Sequence, residues 1–190
     1  MAWFKKKLTT KGAGVGLSLF VMHAINRDPA FDDVFIVVMK NYALNPSDLQ
    51  LEVGFIWVFA CELAIQNALS QPHMGLVRDA FQLAVDDLLR ETASYSLSRQ
   101  RMIKRVTEYM EAFRDGFITP EKTRLAGIRG GYETASSLPM ENALFAIGSV
   151  FSYGCVRKLD PDLAMCGSIS FPSALATASQ FLKDHKLVSA

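Results

Sequence analysis

Little in this sequence is suited to metal or disulfide chemistry: three cysteines and three histidines are spread over 190 residues. Cys61, Cys155 and Cys166 stand among apolar neighbours. So odd and sparse a set reads as reduced, buried thiols rather than a disulfide framework. No histidine lies near Cys155 and Cys166, which removes a zinc pattern. His23, His73 and His185 have no carboxylate or second histidine three or four residues away. That excludes the Glu-x-x-His di-iron arrangement of helical bundles and the His-Glu-x-x-His zinc helix. His23, on an apolar segment, reads as a hydrogen-bonded core residue. No Gly-x-Ser-x-Gly elbow occurs, so nucleophilic hydrolysis has no support. The expectation is no metal, no cofactor and no catalytic residue.

An excess of charge of one sign is also missing. Twenty basic and nineteen acidic residues leave a formal net charge of +1, too small a field to gather nucleic acid. Long apolar runs are missing as well, although half the residues are apolar and the mean hydropathy is +0.16. Gly12–Ile25 and Val53–Ile65 carry the excess. Both fall short of the roughly 20 residues that a spanning helix needs. The lysines ahead of Gly12 imitate the start of a secretory signal, but no small-residue cleavage site follows. Two buried core helices in a cytoplasmic protein are the expectation.

What the chain does have is helical punctuation. Asn45-Pro46-Ser47-Asp48 supplies a cap, a proline for the first turn and an acid, and predicts a nearly all-apolar helix over about 46–69. Gln71-Pro72 opens the next, with Val77, Phe81, Val85 and Leu89 at helical spacing. Ser98 to Asp115 is amphipathic through Met102, Val106, Tyr109, Met110 and Phe113, with Gly116 as a stop. Later starts fall at Thr119-Pro120, Ser137 to Pro139, Asp160-Pro161 and before Pro172, with Gly127, Gly154 and Gly167 as stops. Gly12 to Asn26 reads as a helix packed closely through small residues. Phe31 to Leu44 reads as a helix because few sheet partners exist, although Val34 to Val38 has strand propensity. No period repeats. The fold expected is all-α: a compact single-domain bundle of about seven or eight helices over residues 1–190, with a surface excursion at 116–138.

The helix over 46–69 holds the most informative pattern. At about 100° per residue, Glu52, Phe55, Phe59, Glu62 and Gln66 fall within an arc of roughly 80°. The plain reading is a central helix with one narrow edge toward solvent. The sharper reading makes Phe55, Phe59, Glu62 and Gln66 a binding edge. Were Glu62 buried, it would need a cationic or hydrogen-bonding partner that the sequence does not name.

Other clusters carry less. Asp86, Asp87 and Glu91 resemble half of a magnesium site, but no second cluster matches them and Arg90 stands four residues after Asp86. Gly127 to Gly131 with Arg124 and Arg129 has the makings of an anion nest, without the ending of a phosphate loop. Arg101, Lys104 and Arg105 are neighbours on a helix, yet Glu108 and Glu111 follow, so no nucleic acid is expected. Trp3, Phe4, Lys5, Lys6 and Lys7 combine aromatic and basic character suited to weak contact with an anionic membrane surface.

These observations order three functions. A non-catalytic helical interaction protein, self-associating or holding a protein partner through the aromatic edge, comes first. A helical binder of an apolar or amphipathic small molecule, with eight methionines and thirteen phenylalanines to form an adaptable pocket, comes second. An enzyme whose acids (Glu62, Asp86, Asp87) converge only in space comes third.

Overall fold

A computed structural model describes residues 6–26, 44–91, 95–118 and 139–188. Among these the order is β1 (Lys6–Thr9), α1 (Thr10–Asn26), α2 (Pro46–Ala68), α3 (His73–Arg90), α4 (Tyr95–Ile118), α5 (Pro139–Val156), α6 (Pro161–Asp184) and β2 (His185–Val188). The all-helical expectation holds, with six described helices rather than seven or eight. Of the helix expected over Phe31 to Leu44, residues 31–43 lie outside the described residues, as do the starts at Thr119 and Ser137 and the stop at Gly127.

Helix starts follow the caps. Asn45 is extended at φ −70° and ψ 118° and its side chain accepts from the Ser47 amide at 3.0 Å. Asp160 does the same for α6, accepting from the Leu163 amide at 3.3 Å. Stops were harder to foresee. Gly116, Gly154 and Gly167 lie inside α4, α5 and α6, and the new helix expected to start before Pro172 is instead a continuation of α6. Each glycine permits a close approach instead: Gly116 to Ala143, Gly154 to Glu52, Gly167 to Phe151. Pro172 forfeits one helical hydrogen bond. The helix continues because Phe171, Ala174, Ala178 and Leu182 are buried, and tertiary packing supplies most of a helix's stability. Helix α5 does end near its foreseen point, in a left-handed turn at Arg157 with φ 60°.

Two apolar clusters share α2. One gathers Phe55, Phe59, Tyr109, Phe151 and Phe171, with Phe59 stacked on Phe171 at 5.1 Å and on Tyr109 at 5.9 Å. The other gathers Leu17, Val21, Ile65, Phe81 and Val85 around α1, α2 and α3. Trp57, Met102, Val106 and Leu175 border both. Small residues bring α1 onto α3 as expected: a Cβ on Gly14 would lie 2.6 Å from the Phe81 amide nitrogen. His23 is a correction, since it is exposed on α1 rather than in the core. Among the described residues no helix is long and apolar enough to cross a membrane.

The chain ends hold a second correction. Strands β1 and β2 pair in parallel, with Lys6 opposite His185, Lys7 opposite Lys186 and Leu8 opposite Leu187. Four-residue segments at opposite ends of the sequence are too short for periodicity to reveal.

Candidate functional site

The predicted edge of α2 does not face solvent. Glu52 is fully buried, Phe55 is 1% and Phe59 2% exposed, and Glu62 is 5% exposed. Helix α4 covers this edge, because its own apolar stripe needs a partner. Gln66 alone of the five is exposed. The Phe55 ring is packed inside the first cluster.

Glu52 and Glu62 are handled differently. Glu52 meets two cations of α4. Arg101 donates from Nε to Oε1 at 3.0 Å and places Nη1 2.6 Å from Asp48, while Arg105 Nε lies 2.9 Å from Oε2. That Nε contact is a charge contact without a formed hydrogen bond, and Arg105 donates instead from Nη2 to Oε1 at 3.5 Å. Arg105 also reaches Glu108. Burial pushes the Glu52 carboxyl above the ordinary glutamate range, against the pull of Arg105 and then Arg101. A Cβ on Gly154 would stand 2.5 Å from Glu52 Oε2, so glycine there makes room for the carboxylate. Tyr109 lies beside the cluster, fully buried, its hydroxyl without a hydrogen-bond partner among the described residues. Its burial, and then the Glu52 charge, push its ionisation well above the usual range.

Glu62 turns instead to α3. Gln82 Nε2 donates to Oε1 at 2.8 Å and Arg78 Nε lies 2.9 Å from Oε2. These are the partners the sequence required but did not name. The signal was present: Arg78 and Gln82 are four residues apart on the polar face of α3.

Around Glu62 the helices α2, α3 and α4 leave two adjoining clefts. The first, about 310 Å³, has walls of Val58, Phe81, Val85, Met102, Val106 and Met110, with Arg78, Gln82, Asp86 and Arg99 at its polar rim. The second, about 420 Å³, runs past Phe59, Leu63, Gln66, Phe113 and Arg114. Glu62, Thr107 and Met110 line both. From Arg99 to Arg114 the groove follows α4 for about 22 Å at 1.5 Å per residue. Phe59, Glu62 and Gln66 thus share a cavity wall, and Phe55 does not.

Of the other candidates, Asp86 stands at the rim of the first cleft and the rest lie away from it or outside the described residues. Asp86 receives Arg99 at 2.7 Å and Arg90 at 3.2 Å, the latter the helical pair expected; exposed Asp87 lies 3.7 Å from Arg90. Arg124 and Arg129 lie outside the described residues, as do Trp3, Phe4 and Lys5. Burial pushes the thiols of Cys61 and Cys155 upward, away from thiolate reactivity. No family model, no curated protein and no solved structure matches this chain.

Proposed function

We propose that this chain is a binding protein for an amphipathic small molecule, held in the groove between α2, α3 and α4. The observation that carries the reading is the pair of adjoining clefts sharing Glu62, Thr107 and Met110. Each volume falls within the span of about 300–1,000 Å³ common to small-molecule sites. Their walls are thioether, aliphatic and aromatic groups, which suit an apolar body of variable shape. Thr107, Gln82 and the Glu62–Arg78 pair offer a polar head both donors and acceptors. Binding rather than chemistry is favoured because Glu62 and Asp86 are already engaged by Arg78, Gln82, Arg99 and Arg90, leaving neither placed as a free base or nucleophile.

Native mass spectrometry of gently purified protein tests this directly. The expected result is a retained mass that disappears on denaturation, and uptake of an environment-sensitive anilinonaphthalene dye by the emptied protein. Met110→Trp, at the junction of the clefts, is expected to abolish dye uptake while urea denaturation shifts by no more than about 0.5 kcal/mol, the scale of surface substitutions. Dye uptake unchanged in this variant would place binding elsewhere and end the reading.

Self-association keeps a second, different basis. Val15, Leu19 and Met22 are exposed on α1 at i, i+4 and i+7, one apolar stripe on a helix surface. If it mediates assembly, Leu19→Lys gives a smaller particle in sedimentation equilibrium than the unaltered chain. Equal masses for both exclude the stripe.

A further inference from the structure

The pairing of β1 with β2 sets Lys183 and Lys186 beside the basic segment that opens the chain. Lys6 and Lys7 lie on β1 and Lys186 on β2, with Lys11 just beyond β1 and Lys183 just before β2. All five are exposed. In the parallel register Lys7 lies directly opposite Lys186. Partners in register share a face of a sheet, and alternation puts Leu8 and Leu187 on the other face. Those two leucines pack against the second apolar cluster, so Lys7 and Lys186 project outward. Like charges directly opposite one another destabilise a strand pair, and no ion pair relieves these lysines among the described residues. Among the described residues of the ribbon and the helical turns that flank it, the acid is Asp184, which accepts from Gln180 at 2.7 Å. By the same alternation Lys6 lies on the leucine face, so the outward face carries the facing pair Lys7 and Lys186, with exposed Lys11 and Lys183 on the helical turns that flank the ribbon, in a chain whose net charge is only +1.

We infer that this ribbon is a docking surface for anionic lipid headgroups on a bilayer. Charge complementarity selects an anionic partner, and residue type selects a membrane over nucleic acid. The patch holds lysines without arginine, giving diffuse point charges rather than the planar forks that read phosphodiesters and bases in pairs. In sequence, Trp3 and Phe4 immediately precede the lysines, and aromatic residues beside lysines suit the interfacial layer. The site is distinct from the groove and does not depend on what the groove holds.

Co-sedimentation of the full chain with vesicles tests it. Phosphatidylcholine vesicles containing phosphatidylserine are expected to bind the protein, pure phosphatidylcholine vesicles to leave it in solution, and added salt to release it. Each basic residue near such a surface contributes about fivefold to partitioning. Lys7→Gln with Lys186→Gln should therefore lower the partition coefficient about 25-fold, and Lys183→Gln, outside the ribbon, about fivefold. Lys158→Gln, also exposed, should change nothing. The inference is overturned by equal binding to both kinds of vesicle or by an equal loss in Lys158→Gln. Capture by a duplex oligonucleotide with no vesicle binding also overturns it, and assigns the surface to nucleic acid.

Discussion

Glu52 and Glu62 stand ten residues apart on one helix, nearly equally buried, yet their surroundings give them different parts. Glu52 is enclosed: its counter-charges come from α4, Arg105 has a side chain only 8% exposed, and the Gly154 backbone closes the far side. Glu62 borders a cleft, and Arg78 beside it is 46% exposed. A charge pair sealed from water is rigid, because neither partner has an alternative solvent. A pair with one wet member can let go and re-form around something else. The first arrangement sets how α4 sits on α2; the second leaves an adjustable polar group in a groove.

Breaking the two pairs in the same way should expose that difference. Arg105→Met leaves a fully buried carboxylate facing Arg101 alone, and is expected to cost about 3–5 kcal/mol in urea denaturation at neutral pH. Arg78→Met, the matched change at Glu62, should cost no more than about 1 kcal/mol, because solvent already screens that pair. Equal losses would erase the distinction. Acidification sharpens it. The folded chain holds the Glu52 proton to higher pH than the ordinary value of 4.5. The contribution of Glu52 to stability is thus whole below 4.5 and is lost as pH rises through its folded pKa. Removing Arg105 raises that pKa further, so the Arg105→Met penalty should shrink as pH falls toward 4.5. A penalty that grows on acidification would mean that Arg105 does not hold the Glu52 carboxylate in its charged form.

A smaller effect is expected from Gly154→Ala, about 1–3 kcal/mol, because the added methyl meets the Glu52 carboxylate rather than open space. Pairing it with Arg105→Met should give less than the sum of the two losses, since both disturb one cluster. Additive losses would mean that Gly154 acts through helix α5 alone. Smallest of all is the stability change in Met110→Trp, where only ligand uptake should respond.

How much of this was open to sequence reading depends on the range of the interaction. Asn45 and Asp160 could be read because a cap bonds a residue two or three positions away. The arc of Glu52, Phe55, Phe59, Glu62 and Gln66 was also correctly drawn, since helix geometry alone sets it. Its direction was not, because solvent or α4 on that edge produces the same local pattern. Arg101 and Arg105 looked like a solvated basic face, and only the approach of α2, some 50 positions earlier, turns them inward.

Gly167 as a stop and Pro172 as the mark of a new helix start failed for a related reason. Their local preference to interrupt a helix is outweighed by the face that α6 buries. The terminal ribbon joins residues at the two ends of the chain, which no window of sequence brings together. By itself, then, the sequence determined the helical class, the caps, and which residues share a helix face, all consequences of backbone geometry within a few turns. The tertiary structure decided which faces are inside, which charges meet, where the groove opens and where the lysines gather. Those depend on surfaces distant in sequence coming into contact, and burial is a property of the contact rather than of the residue.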